Sequence, residues 1–494
     1  MLSKYEELER LHKRIDDFRH SAVNDHAEVE RLQSQANRLE RELIRDCKEF
    51  GDFTSNLSIT YEQVAQALAP DAAAVEFVEM PMADGDRHYA ALCIRHGWKY
   101  PRFVSLFTQN ELVHQDYAGC NLFEAMRLPS TINAVYEHPQ VGHLVWYPIM
   151  EALGADTHTV YFSPTGMLYQ LGIEYLKYNR EQRINERYEM HRLSSTKSLA
   201  QPRQQQPLTS AAVFGGLQYD MDNEELARRH SDYSQPALNL LAQNDADNTR
   251  ALFQANATAI DSLTRAGMRP AAPLPGTLVE AGNITSALRQ QGIDTRVFTE
   301  GEGTEEAFKS LSGLNLSLIH VATHGFYFSD SDAKKNAQLM RLLGQASTDF
   351  VDEDRTMDYS GLLMAGANTV LRGRRLPENV ENGILTAREI SQLDLRGLDL
   401  VVLSACQTGK GELKEDGVYG LQRAFKKAGA KTLLMSLWSV SDAATQQMMS
   451  SFYQALAAGQ SRFDAFATAQ QAVRDAGYAA PYYWASFVML DDNE

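Results

Sequence analysis

The stretch from Asp399 to Gly409, Asp-Leu-Val-Val-Leu-Ser-Ala-Cys-Gln-Thr-Gly, constrains the fold more than any other part of this 494-residue chain. Leu400–Leu403 is an unbroken apolar run flanked by Gly397 and Gly409. A short run of that kind reads as a strand buried on both faces, as in a parallel sheet covered by helices. Cys406 falls where that strand should end. In open α/β sheets, ligands bind outside the carboxyl ends of the strands. A thiol there, followed by a Gly that allows close backbone approach, is a candidate nucleophile. A buried structural Cys is the plainer alternative.

A second run, residues 314–323, is also apolar and β-branched, and His324 and Gly325 follow it. A thiol needs a base to populate thiolate near neutral pH, and His is the usual one. If the two strands are neighbours in a parallel sheet, His324 and Cys406 meet at one edge. Taken alone, His324 reads as a turn residue. His320 and His324 form an H-x-x-x-H pair, but Val321 stands where a zinc protease has Glu, and the segment reads as a strand. No metal site is expected there.

Ala322-Thr-His-Gly325, Leu403-Ser-Ala-Cys-Gln-Thr-Gly409 and Ser436-Leu-Trp-Ser-Val-Ser-Asp442 follow one another in the chain. Together they resemble the three signatures of CHAT-domain peptidases, caspase-fold cysteine peptidases related to separase and often fused to tetratricopeptide repeats. Tyr161-Phe-Ser-Pro-Thr-Gly166 and Tyr482-Tyr-Trp-Ala-Ser-Phe487 extend the resemblance. It implies an α/β fold with a caspase-like, mainly parallel sheet and flanking helices in residues 207–494. A degenerate caspase-like unit, residues 59–206, and an N-terminal helical segment, residues 1–58, would precede it.

The resemblance also implies a cysteine endopeptidase working as a dyad, with Cys406 as nucleophile and His324 as base. The backbone N–H groups of Gly325 and Cys406 would hold the oxyanion. No third triad side chain is evident. In separase, an Asp four residues after a Trp recognises the Arg before the scissile bond. Trp438 and Asp442 have that spacing, so cleavage after a basic residue is expected, by a desolvated Asp442 carboxylate. Asp442 reads equally well as the cap of the helix that follows. Two residues before Cys406 stands Ser404, not the acid seen in metacaspases. Two other classes remain open: an inactive caspase-fold scaffold for protein interaction, and a cysteine hydrolase acting on a non-peptide ester or amide.

The formal net charge of -17 argues against nucleic acid or an anionic membrane as main partner, because both need a basic footprint. It permits attraction of basic peptide segments. Four cysteines (Cys47, Cys93, Cys120 and Cys406) show no C-x-x-C spacing and no disulfide framework, so reduced cytoplasmic thiols are expected. There is no phosphate-cradling G-x-x-x-x-G-K-[ST], no G-x-G-x-x-G between strand and helix, and no expected cofactor. The N-terminus reads as a charged helix, not a signal peptide, and no apolar run reaches the ~18 residues of a membrane span.

Residues 2–49 carry a heptad-like seam through Val29, Leu32, Ala36, Leu39 and Leu43. This reads as a helical hairpin or, through the family resemblance, the end of a helical-repeat array and a route to an activating protein partner. Strands are expected at 74–80, 88–94, 103–107 and 159–162. Residues 201–206 form a polar connection. Residues 218–272 read as an exposed insertion, and 330–382 as a second insertion near the site. Asp416 reads as the cap of a helix over 417–428, and 442–457 as an amphipathic helix.

Overall fold

The structure is a computed structural model that describes residues 59–117, 119–201, 207–241, 270–327, 360–377, 380–404, 406–407 and 417–491. The expected N-terminal helices, most of the 201–206 connection, the Asp416 cap and Gly409 lie outside the described residues, as do 242–269 and 328–359.

Fifteen strands are described. They are β1 (Ala72–Pro81), β2 (Arg87–Arg95), β3 (Arg102–Thr108), β4 (Thr159–Ser163), β5 (Glu189–Arg192), β6 (Ser210–Leu217), β7 (Asp294–Glu300), β8 (Leu318–Val321), β9 (His324–Tyr327), β10 (Ser360–Leu363), β11 (Ile384–Thr386), β12 (Leu400–Leu403), β13 (Cys406–Gln407), β14 (Thr432–Ser436) and β15 (Phe487–Leu490). Eleven form one sheet in the order β3-β2-β1-β4-β5-β15-β14-β12-β8-β6-β7. The β1–β3 meander is antiparallel, as is β14 against β15; the other pairs are parallel. β8, β12 and β14 are buried at every position, as unbroken apolar runs in a sheet covered on both faces must be.

Alternate residues of the central strands meet different helices. His320 reaches the helices Pro275–Gln290 and Asp442–Ala457 through Glu280 and Tyr453. Phe214 stacks on Phe298 and Phe308 toward the opposite face, where Phe308 meets Phe425 of the helix Gly417–Ala428. Helix Pro275–Gln290 lies directly on β6, because a Cβ at Gly215 would meet the Thr277 carbonyl oxygen at 2.5 Å. Any larger residue there would push the helix off the sheet.

The stretches expected as two successive α/β units share this one sheet and one hydrophobic core. Their strands join where Leu490 of β15 pairs with Arg192 of β5, and the Asp491 N–H donates to the Arg192 carbonyl at 2.8 Å. Asp491 Oδ1 also accepts from the Ser194 N–H at 2.7 Å. Arg192 is buried against Glu174 at 2.7 Å, so a charged strand residue sits in the core as half of an ion pair.

Two expectations need correction. The run 314–323 is not one strand. β8 ends at Val321, and β9 belongs to a second sheet of order β11-β10-β9-β13. The stretch 218–272 is also not wholly exposed, and the second insertion, 330–382, is partly buried. Tyr219 and Met221 are buried, β10 pairs with β9, and Ser360 through Thr369 is buried at every position. Ser360–Leu363 supplies β10 to the second sheet, whose fourth strand carries Cys406.

Candidate active site

β8 and β12 leave the large sheet together. Val321 lies opposite Leu403 in the large sheet. Three residues further along each strand, His324 lies opposite Cys406 and Gly325 opposite Gln407 in the parallel ladder of β9 and β13. The register is therefore unchanged across the bend. Adjacent strands run about 4.7–4.9 Å apart, so the two backbones sit side by side at the carboxyl ends of neighbouring parallel strands. Here the chain order also reverses, since β6 is flanked by β7 on one side and β8 on the other. Gly325 lies in β9 between β13 and β10.

His324 is buried, and its ring rests on Tyr219 with centroids 5.2 Å apart. Its Nε2 is 2.7 Å from the carbonyl oxygen of Ala272. A carbonyl only accepts, so Nε2 carries the hydrogen. In the neutral ring Nδ1 then keeps the lone pair and can take a proton. The Tyr219 hydroxyl lies 2.9 Å from Thr323 Oγ1, which donates to the Leu363 carbonyl. That chain of bonds fixes the bend between β8 and β9. The Ala272 carbonyl supplies the partner that no side chain pattern announced. A backbone oxygen leaves no signature in sequence.

Asp442 lines the same small cavity as His324, about 70 Å³ in volume, together with Glu280, Ser404 and Thr445. The cap of helix Asp442–Ala457 is Ser441, whose Oγ accepts from the Ala444 N–H at 3.4 Å. Asp442 is the first residue inside the helix, which overturns its reading as the cap. It is exposed, not desolvated, so only a bound side chain could take its carboxylate out of water. Gly276 lets the backbone approach it closely, because a Cβ there would lie 3.0 Å from the Asp442 Cβ. Trp438 is buried against Tyr136 at 5.4 Å between ring centroids, and its Nε1 donates to the Tyr482 carbonyl at 2.9 Å. Tyr482 in turn donates to the Ser439 carbonyl at 2.7 Å. The loop presenting Asp442 is thus anchored by residues distant in sequence, Tyr136 and Tyr482.

Among the described residues that line the cavity, Glu280 and Asp442 are acidic and none is Lys or Arg. Glu280 is buried and accepts at 3.0 Å from His320 Nε2, whose Nδ1 lies 3.1 Å from the Tyr453 hydroxyl. His320 is therefore a core residue. Burial, reinforced by the Glu280 charge, pushes the Tyr453 phenol well above its ordinary range. Ser404 Oγ and Thr445 Oγ1 are buried without a hydrogen-bond partner among the described residues. Buried hydroxyls are normally paired, so these two are groups a bound side chain can satisfy. Glu280 and Thr445 carry no motif, and only the fold brings them here.

Two other features lie apart from this site. A larger cavity, about 460 Å³, is lined by β5 and by Phe463, and it shares no wall residue with the small one. Glu305, Glu381 and Glu389 converge as metal ligands do, but Lys309 Nζ fills their centre at 2.6, 2.8 and 2.9 Å. Burial pushes the Glu305 carboxyl well above the usual range. Among the other cysteines, Cys93 is buried and its thiol is pushed up to about 12, which leaves it almost no thiolate at neutral pH. No helix among the described residues is long and apolar enough to cross a membrane.

The profile of the CHAT domain family matches residues 139–492. Tetratricopeptide repeat protein 28 of Mus musculus is 36% identical over 112 residues, and that of Homo sapiens 35% identical over 111. Each match covers 22% of this chain and 4% of the relative, so the chain spans a small part of these curated relatives. The Arg-specific cysteine proteinase gingipain R aligns over 76% of this chain and 70% of its own at 9% identity, with a TM-score of 0.37. The separase of the Saccharomyces cerevisiae separase–securin complex aligns over 87% and 30% at 9% identity, with a TM-score of 0.40.

Proposed function

This chain belongs to the CHAT domain family, and from that premise we propose that it is a cysteine endopeptidase that cleaves protein substrates after a basic residue. The observation that carries the proposal is the register pairing of His324 with Cys406 at the ends of two neighbouring parallel strands. Cys406 gives its Sγ proton to His324 Nδ1 and attacks the scissile carbonyl as thiolate, forming the Sγ–C bond of a tetrahedral intermediate as the C=O π bond opens to the oxyanion. The backbone N–H groups of Gly325 and Cys406 hold its oxyanion. His324, its tautomer set by the Ala272 carbonyl, gives a proton to the leaving amine as the C–N bond breaks. Water then attacks the thioester, passes a proton to His324 and releases the thiolate.

The test is labelling of the whole chain with a peptidyl-arginine electrophile, followed by mapping of the modified cysteine. Modification of Cys406 with turnover of Arg-containing peptides is expected. An unlabelled Cys406 in a folded chain that hydrolyses nothing would favour the interaction scaffold instead.

Specificity rests on Asp442 at the cavity mouth. A guanidinium covering it would gain a charge-assisted hydrogen bond of about 1.5–3 kcal/mol, roughly a ten- to hundredfold preference over a neutral residue. Ser404 Oγ and Thr445 Oγ1 offer further acceptors for a planar fork of donors, which favours Arg over Lys. Asp442→Asn is expected to erode the Arg preference by about that factor in a peptide library. Labelling of Cys406 by a small neutral electrophile should be unchanged. An Arg preference untouched in that variant would remove Asp442 from substrate recognition.

Protein partners enter through the same reading. The curated relatives are named for tetratricopeptide repeats, and residues 1–49 carry the charged heptad-like pattern of a helical relay. We expect the isolated chain to be weakly active and to gain activity when a partner engages that segment. Full activity of the isolated chain, unchanged on deletion of residues 1–49, would exclude the relay.

A further inference from the structure

His324 is oriented by a strap, and the strap is held by one side chain. Ala271 and Ala272 lie between Pro270 and Pro273, neither of which can donate a backbone hydrogen bond. Ala272 precedes a proline and so favours extended backbone. Among the described residues, the only partner of the Ala272 carbonyl is His324 Nε2. The preceding residue, Ala271, is gripped through both of its backbone polar groups by Asn368, which is fully buried. Ala271 N–H donates to Asn368 Oδ1 at 2.6 Å, and Asn368 Nδ2 donates back to the Ala271 carbonyl at 2.9 Å. These two bonds fix which end of the amide is oxygen, because an N–H must face Oδ1 and a carbonyl must face Nδ2. The second Nδ2 hydrogen goes to Asp220 Oδ2 at 3.0 Å, and Asp220 pairs with Arg372 at 2.8 Å. The Asn368 N–H donates to the carbonyl of Tyr219, the residue whose ring supports His324.

We propose that Asn368 is a positioning residue of the dyad. By clamping the Ala271 backbone N–H and carbonyl it aims the Ala272 carbonyl at His324 Nε2 and so keeps Nδ1 available as the base. The inference rests on the endopeptidase reading above and adds to it a dependence of the base on residues from both stretches that flank the site. Ala271 and Asp220 come from one of these stretches, and Asn368 and Arg372 from the other. Without the clamp the strap loses the only hydrogen bonds of Ala271 among the described residues. The imidazole is then free to turn, and Cys406 loses the partner that holds it as thiolate.

The experiment measures the rate of Cys406 alkylation by iodoacetamide from about pH 5 to about pH 9, where cysteine thiolates titrate. It uses the full chain, with the modified peptide quantified by mass spectrometry. His324→Ala sets the profile of an unassisted thiol. Asn368→Ala and Asn368→Asp are the tests. The Asp variant keeps the shape but turns an oxygen toward the Ala271 carbonyl. Thr369→Val is the control, because Thr369 Oγ1 donates to the Met221 carbonyl from the same short helix, Asn368–Leu371, without touching the strap. Circular dichroism checks that each variant is folded.

Both Asn368 variants are expected to lose about tenfold in rate near pH 6.5, a typical cost of removing an orienting outer partner, and to move toward the His324→Ala profile. Thr369→Val should match the parent chain. An Asn368→Asp profile that matches the parent overturns the inference while leaving the dyad intact. Equal losses in Asn368→Ala and Thr369→Val overturn it as well, by assigning the helix a purely structural role. Identical profiles for the parent and His324→Ala would instead sink the dyad itself, and the positioning role with it.

Discussion

Replacement of Cys406 by Ala is expected to abolish peptide hydrolysis, and replacement of His324 by Ala to reduce it by at least two orders of magnitude. The first removes the atom that forms the covalent bond to substrate. Loss of a comparable nucleophile costs on the order of 10⁶ in kcat. The second removes a general acid–base worth roughly 10²–10⁴ and also the cation that holds the thiolate near neutral pH. The two variants should differ in a second readout. His324→Ala keeps the thiol and should still be alkylated at high pH, whereas Cys406→Ala leaves Cys93 too deeply buried to substitute for it. Neither change should unfold the chain. The paired strands β8 and β12 that precede the two residues are buried at every position, and their apolar side chains stay in place. Hydrolysis of an Arg-containing peptide, measured beside circular dichroism, checks both. Turnover by well-folded Cys406→Ala would refute the assignment of the nucleophile.

The positions of these two residues were legible because fully buried parallel strands are written in unbroken apolar runs. Leu400–Leu403 and the second half of 314–323 could be little else. Helix Asp442–Ala457 was legible for the same kind of reason, an apolar stripe at helical spacing. What was not legible has a common cause. The break between β8 and β9 depends on Thr323 bonding to Tyr219 and to the Leu363 carbonyl, residues distant in sequence. β5 reads Glu-Met-His-Arg and looks like surface, yet Arg192 is buried because Glu174 and the Leu171 carbonyl take its charge. β10 is hidden in a stretch rich in Gly and charge. Asp442 loses its role as cap only because Ser441 sits one residue earlier in the cap geometry. At the candidate site the sequence offers Cys406 and His324 as a pair, while the groups bonded around His324 are a carbonyl and an amide from segments that read as insertions. Local pattern encodes burial well. It encodes a long-range hydrogen bond poorly, since either partner alone is an ordinary loop residue.

Replacement of Arg462 by Ala should cost about 3 kcal/mol of stability, the low end of the ~3–5 kcal/mol expected when one partner of a buried ion pair is removed. Asp399 sits at the start of β12, the strand that leads to Cys406, and it is almost wholly buried. Its carboxylate is ion-paired to Arg462, which is also buried and donates as well to Thr432 Oγ1 at 3.2 Å. Lys431 supplies a second, more exposed cation at 3.0 Å. Truncating Arg462 leaves the carboxylate in a low-dielectric site with Lys431 alone, and the desolvation cost of Asp399 is no longer offset. Lys431 is the reason for choosing the low end of the range. Against a total stability of about 5–15 kcal/mol for a typical domain, the change is large. It should appear as a lower urea midpoint for unfolding followed by tryptophan fluorescence. The pair lies at the amino ends of β12 and β14, opposite the edge that carries His324 and Cys406. Variant that remains folded should therefore keep the parent pH profile of Cys406 alkylation. The double variant Asp399→Asn with Arg462→Met separates charge from packing. It removes the buried charge along with its partner, so it should recover more than half of the loss. A double variant as unstable as Arg462→Ala would mean that the guanidinium's packing, not the unpaired carboxylate, sets the cost.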